Sequence, residues 1–196
     1  MYKEIIKPAL ILFIVCVIVT GSLAYVNGIT GPIIDENNKI TEQLSLAQVL
    51  PDAESFSDAK DAQQLKTEGF DVNERILKLF EGKKGQETIG YIVQVSSKGY
   101  GGAIKMFVGV DTNKNITGVL LTEQNETPGL GSKASEPKFI AQYLKTIPEK
   151  EFFVVKGSTK SDNDIQAISG ATISSRAVTQ SVNDAIALIN SMAGGV

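Results

Sequence analysis

Asp164-Ile165-Gln166-Ala167-Ile168-Ser169-Gly170-Ala171-Thr172-Ile173-Ser174-Ser175-Arg176 crowds small and hydroxyl-bearing residues directly ahead of a long apolar periodicity. Val178, Val182, Ala185, Ile189 and Met192 recur at alternating steps of four and three, the signature of one helix face. Gln180, Asn183, Asp184 and Asn190 fall mostly off that face. Ser169 to Ser174 therefore reads as a loop entering a helix N-terminus. The first-turn N–H groups of a helix lack partners, and its dipole puts partial positive charge there. Such a place suits a phosphate. Gly170 and Ala171 allow close backbone approach, and Thr172 sets a hydroxyl beside it. The same residues also fit an ordinary N-cap, worth about 1 kcal/mol.

Composition narrows the chemistry. The chain has 196 residues, enough for a membrane anchor and one domain of about 150 residues. With 42% hydrophobic and 21% charged residues, most of it should fold. A net charge of −3 argues against nucleic acid as a partner. There is no His, and Cys16 is the one Cys. His/Cys zinc sites, iron–sulfur ligation, a Cys–His nucleophile and a Ser–His–Asp triad are excluded together. No metal site is expected, and a redox role would need an organic cofactor.

Upstream, no residue from Pro8 to Ile34 is charged. About 20 helical residues cross a ~30 Å hydrocarbon core, so this stretch reads as a transmembrane anchor. A cleaved signal peptide, the alternative, would have a shorter apolar region; Ser22-Leu23-Ala24 offers it a small-residue site. Lys3 and Lys7 precede the span and Asp35 and Glu36 follow it. That bias places the N-terminus in the cytoplasm and the remainder outside the cell membrane. No charged side chain lies in the span, so it anchors rather than conducts; Cys16 reads as a small apolar filler.

Asp35 to Leu50 is helix-like, with Ile40, Leu44, Ala47 and Leu50 on one side, and Pro51 stops it. Asp52 to Asp71 is acidic and poor in large apolar residues; it reads as a spacer with one short helix over 59–67. From Val72 a domain begins. Strands are expected at 75–80, 89–97, 103–110 and 116–122, with turns at 82–86 and 111–115. Pro128, Gly129 and Gly131 break the pattern over 123–133. A helix over 136–144, packed through Phe139, Ile140, Tyr143 and Leu144, a strand at 152–155 and a polar loop over 157–164 complete the chain. The expected class is α+β: a single N-terminal transmembrane helix, then one domain with a largely antiparallel sheet flanked by helices. The expected divisions are 1–7 cytoplasmic, 8–34 anchor, 35–71 spacer and 72–196 domain.

Three glycine-rich loops interrupt this domain: Gly99–Gly102, Thr127–Gly131 and Ser169–Thr172. Sites concentrate on loops carried by a rigid sheet. Together they suggest one shared cleft, although each alone fits an ordinary turn. Tyr100-Gly101-Gly102, Glu126-Thr127-Pro128-Gly129-Leu130-Gly131 and Ser169-Gly170-Ala171-Thr172, in this order and spacing, resemble the signatures of the FMN-binding domain family. That domain occurs in the G subunit of the Rnf complex and the C subunit of the sodium-pumping NADH:quinone reductase. The likeness runs from about Glu87 to Leu188, with the anchor in register, and the compact length resembles the Rnf subunit more.

The resemblance implies FMN held covalently through a phosphoester on Thr172. It makes Ser169, Gly170, Ala171, Ser174, Ser175, Tyr100, Gly101, Gly102, Glu126, Thr127, Gly129, Leu130, Gly131 and Lys133 the candidate cofactor-binding residues. Ser174, Ser175 and backbone N–H groups would donate to the phosphate; Tyr100 and Leu130 would pack on the flavin ring; Lys133 would balance charge on the reduced ring. Asp164 and the carboxylates of the Glu123–Glu126 loop would have to point away from the phosphate. No residue is assigned direct catalysis. The family often has an acidic residue where this chain has Gln166, with Asp164 nearby. The implied role is electron relay within a membrane complex that couples ferredoxin and NAD⁺ to Na⁺ or H⁺ transport. Its partners would be other membrane, iron–sulfur and flavin subunits, and a flavin transferase for maturation. A quinone reductase subunit, an extracellular electron-transfer flavoprotein and a cofactor-free tethered binding module are the alternatives.

Overall fold

The computed structural model describes residues 2–193. They fall into two compact units, 1–42 and 43–196. The first belongs to helix α1, Tyr2–Val49, 48 residues that take in Pro8 and Pro32. Its apolar side chains from Ile6 to Ile34 are exposed all round. A helix apolar on every side needs a protein interior or a bilayer around it. It is long and apolar enough to cross a membrane.

The second unit is built on an antiparallel sheet. After the short strands β1 (Ser55–Phe56) and β2 (Lys60–Asp61) come β3 (Ile76–Lys84), β4 (Glu87–Lys98), β5 (Ala103–Asp111) and β6 (Ile116–Glu123). The order is β1-β3-β4-β5-β6, with β2 also paired to β3. Strand alternation separates two apolar faces. Leu79, Val93, Val95, Met106 and Val108 meet helix α4 (Thr172–Ala193) through Val178, Val182, Ala185 and Ile189. Phe80, Ile92 and Phe107 face the other way, onto Leu46, Val49 and Leu50. Arg75 forks onto Asp184 of α4, Nε to Oδ2 at 2.5 Å and Nη2 to Oδ1 at 3.0 Å, which lets that acid be buried off the apolar stripe.

Val49 and Leu50 lie on glycines. Gly109 and Gly118 face each other across β5 and β6, and Gly82 and Gly90 across β3 and β4. A Cβ at Gly118 would stand 2.7 Å from the Val49 Cα and carbonyl oxygen; one at Gly109, 2.6 Å from Val49 Cγ1. The Thr117 hydroxyl donates to the Val49 carbonyl at 2.7 Å. The end of α1 is thus keyed into the sheet by backbone contact that any side chain would block.

Several local expectations change. The buried side of the last α1 turns is Leu46, Val49 and Leu50; Ile40, Leu44 and Ala47 are exposed. Within 52–71, β1 and β2 pair with β3, and α2 (Ala62–Thr67) is closed by a capping box of Asp61 and Gln64. β3 continues through Gly82 to Lys84, because the turn is made at Gly85, φ +60°. The helix expected over 136–144 is only α3, Pro137–Ile140. Beyond it Tyr143 dives into the core while Leu144 stays exposed. Lys145 and Ile147 then bond to Ile116 and Lys114, drawing the chain out straight. The polar loop ends in a strand: β8 (Asp164–Gln166) pairs in parallel with β7 (Phe153–Val155).

Gly118→Ala is expected to lower stability by about 1–3 kcal/mol, because the atoms it meets are Val49 backbone. Urea unfolding of the full chain in detergent measures it; a midpoint equal to wild type would contradict the keyed packing.

Candidate functional site

The three glycine loops meet on one carboxylate. Glu126 is 7% exposed. Its Oε1 accepts the Gly101 N–H at 2.9 Å, and its Oε2 accepts the Ser174 hydroxyl in the first turn of α4. A buried carboxylate is costly unless hydrogen-bonded, and bonds to a charged group contribute about 1.5–3 kcal/mol each. Glu126 also occupies the space beside two glycines: a Cβ on Gly99 or Gly131 would overlap its carboxylate oxygens. A Cβ on Gly101 would overlap the Asn125 carbonyl oxygen. These glycines permit close approach between loops.

Helix α4 begins on an alanine. The Ala171 carbonyl accepts the Ser175 N–H at 3.0 Å, which makes Ala171 the N-cap and Thr172 the first helical residue. The bracing comes from Ser175, whose hydroxyl accepts the Ile168 N–H at 3.0 Å and donates to the Ala171 carbonyl at 2.9 Å. Gly170 has φ +78°, the left-handed region, and a Cβ there would lie 3.2 Å from Leu130 Cδ2. The half-buried Thr172 hydroxyl makes no hydrogen bond among the described residues. The N-cap reading of Thr172 therefore fails. The N–H groups of Thr172, Ile173 and Ser174, the first three of the helix, have no helical partner.

Thr172 opens onto a cleft of about 930 Å³. Tyr100, Glu126, Thr127, Leu130, Gly131, Ser169, Gly170, Ala171, Thr172 and Ser174 line it, so the loops do share one cavity. Gly101, Gly102, Gly129 and Ser175 are not among the residues that line it. Lys133 does not reach it: it lies exposed on the 3₁₀ turn Gly131–Ser135. The lysine on the wall is Lys156, just past β7, followed by Gly157 at φ +105°. Ser174 and Ser175 already spend their hydroxyls on Glu126 and Ala171, so they shape the loop. Gln166 lines the cleft, whereas Asp164 turns away and takes the N–H groups of Lys160 and Ser161, which hold its carboxyl below the usual range. Ile173, exposed at the second helical position, also lines the wall and was not anticipated. With Tyr100 and Leu130 it gives three large exposed apolar side chains around one cavity.

Residues 99–187 match the FMN-binding domain model, and residues 1–49 match that of the RnfG N-terminal region. The G subunit of the Na⁺-translocating ferredoxin:NAD⁺ oxidoreductase complex of Acetobacterium woodii is 38% identical over 190 residues, 94% of this chain and 91% of that one. The chain belongs to the RnfG family. The G subunit of the proton-translocating ferredoxin:NAD⁺ oxidoreductase complex of Clostridium ljungdahlii is 40% identical over 116 residues, 59% of this chain and 62% of its own. The crystal structure of Shewanella oneidensis NqrC shares the fold, with TM-score 0.50 over 58% of each chain at 23% identity. The expected fold class holds, and the RnfG chain carries its FMN-binding domain where the cleft lies.

The cleft fits that cofactor on its own terms: an unengaged hydroxyl, open helix N–H groups, three large apolar side chains and one lysine surround a volume in the ~300–1,000 Å³ range of cofactor sites, and the one carboxylate on the wall, Glu126, is turned onto Gly101 and Ser174. Ser175→Ala removes both braces of the loop and leaves the Ile168 N–H unpaired. A loss of about 1–3 kcal/mol is expected in urea unfolding; a shift within error would show the loop to be held elsewhere.

Proposed function

We propose that this RnfG chain is an electron-carrying subunit of an Rnf-type ferredoxin:NAD⁺ oxidoreductase complex, with FMN joined to Thr172 by a phosphoester. The observation that carries the reading is the Thr172 hydroxyl, which makes no hydrogen bond among the described residues at the open end of a long helix. FMN supplies the redox chemistry when bound; the protein orients it and tunes it. A phosphodiester keeps one negative charge. The open N–H groups of Thr172, Ile173 and Ser174 meet it at the helix start, with a gain of about 0.3–1 kcal/mol and up to ~2 kcal/mol where partly buried. These backbone groups replace the Ser174 and Ser175 hydroxyls in that role. Tyr100, Leu130 and Ile173 offer apolar surface to the ring, and Lys156, rather than Lys133, supplies the positive charge.

The anchor spans the membrane within 8–34, with the N-terminus cytoplasmic and the FMN domain outside. Lys3 and Lys7 on one side, Asp35 and Glu36 on the other, support this direction. Residues 35–71 lead into the domain, whose compact unit already takes in Gln43 onward. Covalent attachment suits that location. Binding even at ~1 μM, about −8 kcal/mol, would let FMN drain into dilute surroundings. The other subunits of the complex exchange electrons with this one, and a flavin transferase loads it. NAD binding and ion pumping reside elsewhere: the sequence has no dinucleotide fingerprint and no charge within the span.

Co-expression of the full chain with a flavin transferase, followed by a denaturing gel, tests the attachment. Wild type should fluoresce and Thr172→Ala should be dark; a fluorescent Thr172→Ala band would sink the site. Lys156→Gln should keep the band but lower the flavin midpoint potential in a spectroelectrochemical titration, since reduced flavin loses its counter-charge. An unchanged potential would remove Lys156 from the flavin's surroundings.

A further inference from the structure

Glu126 lies in the wall of the cleft, yet both its oxygens are taken by neighbouring loops. It grips the Gly101 N–H on one side and the Ser174 hydroxyl on the other. Ser174 is two residues past Thr172 in the first turn of α4, so the grip fixes the start of the helix against the Gly99–Gly102 loop. It also hides a competing hydroxyl. Of the three in the first turn, Ser174 is held by Glu126, Ser175 by Ile168 and Ala171, and Thr172 alone has no partner among the described residues. Gly99 and Gly131 leave room for the carboxylate, and nothing larger fits at either place.

We infer that Glu126 is a positioning residue for flavin attachment: by holding Ser174 and the Gly101 loop it presents the Thr172 hydroxyl, and no other in that turn, to the incoming flavin nucleotide. This rests on Thr172 as the attachment residue. In the transfer, the Thr172 oxygen forms the new bond to the FMN phosphorus of a flavin adenine dinucleotide. The pyrophosphate bond breaks, adenosine monophosphate leaves with its electron pair, and the hydroxyl proton is released. No oxidant or reductant is needed. Attack of this kind demands that the acceptor oxygen be held in place, since a misplacement near 1 Å can cost ~100-fold.

The full chain, co-expressed with a flavin transferase, is scored for fluorescence per trypsin-resistant chain, and the labelled peptide is mapped by mass spectrometry. Glu126→Ala is expected to lose label on the order of tenfold per folded chain. Gly131→Ala, whose methyl would displace the carboxylate, should behave alike. Glu126→Gln should restore label, because an amide still accepts from Gly101 and can donate to the Ser174 oxygen. A role confined to stability would lower the folded fraction and leave label per folded chain unchanged; that result for Glu126→Ala overturns the inference. If Glu126→Ala yields no folded chain, Ser174→Ala decides: a severalfold loss upholds the inference and full label overturns it. A wild type that stays dark overturns the attachment reading and this inference with it. A labelled wild type beside an equally labelled Glu126→Ala overturns this inference alone.

Discussion

One buried carboxylate holds the cleft together. Glu126 takes a backbone donor from the loop after β4 and a side-chain donor from the first turn of α4. It stands itself at the head of the Thr127–Gly131 loop. Sequence separations of 25 and 48 residues are closed by two hydrogen bonds on one side chain. Desolvating a carboxylate is unfavourable, so those bonds act as conditions for burial more than as a surplus of stability. If either donor moves, the oxygen it leaves loses its protein partner in a buried position. The loops are therefore coupled, and small residues beside Glu126 are the geometric consequence.

That coupling works because the frame beneath it is stiff. The sheet is covered on both faces, by α4 on one and by the end of α1 on the other. On the α4 side the contacts are aliphatic and the Arg75–Asp184 fork aligns the helix with the start of β3. On the α1 side paired glycines admit Val49 and Leu50 to backbone distance. The Tyr143 phenol, bonded to Thr179 at 2.8 Å and edge-on to Phe139 and Phe152, adds a rigid post beside α4; burial pushes its ionisation well above the usual value.

Periodicity made much of this frame legible. The step pattern from Val178 marks α4, alternation marks the start of β3 and β-branched and aromatic content marks β4, because these signals are local. What depended on partners distant in sequence was less visible. Residues 52–71 are poor in large apolar groups, yet β1 and β2 form by borrowing the edge of β3. Ile165, alone between polar neighbours, gives no strand pattern, but it is fully buried where β8 runs beside β7. That parallel pair also carries Lys156 to the cleft. Lys133, next to a glycine signature in sequence, sits on the outer side of a 3₁₀ turn instead. Proximity along the chain was a poor guide to charge in the cleft, while the glycine loops were a good guide to its walls.

The start of α4 shows a stability gain left unused. Ser or Thr at an N-cap exceeds Ala by about 0.5–2 kcal/mol, and this helix has Ala171 there with Thr172 one position later. At the cap, a threonine oxygen would accept the second or third N–H of the helix and bury a lone pair in that bond. One residue further on, the oxygen has no such target, and three N–H groups stay open around it. Ser175 braces the loop from behind, which offsets part of the missing cap without touching Thr172. Sites that break a local rule in this way are where function is expected. A cap needs its hydroxyl satisfied, whereas the phosphoryl acceptor proposed at Thr172 needs it free, and the one-residue offset between Ala171 and Thr172 is what that proposal requires.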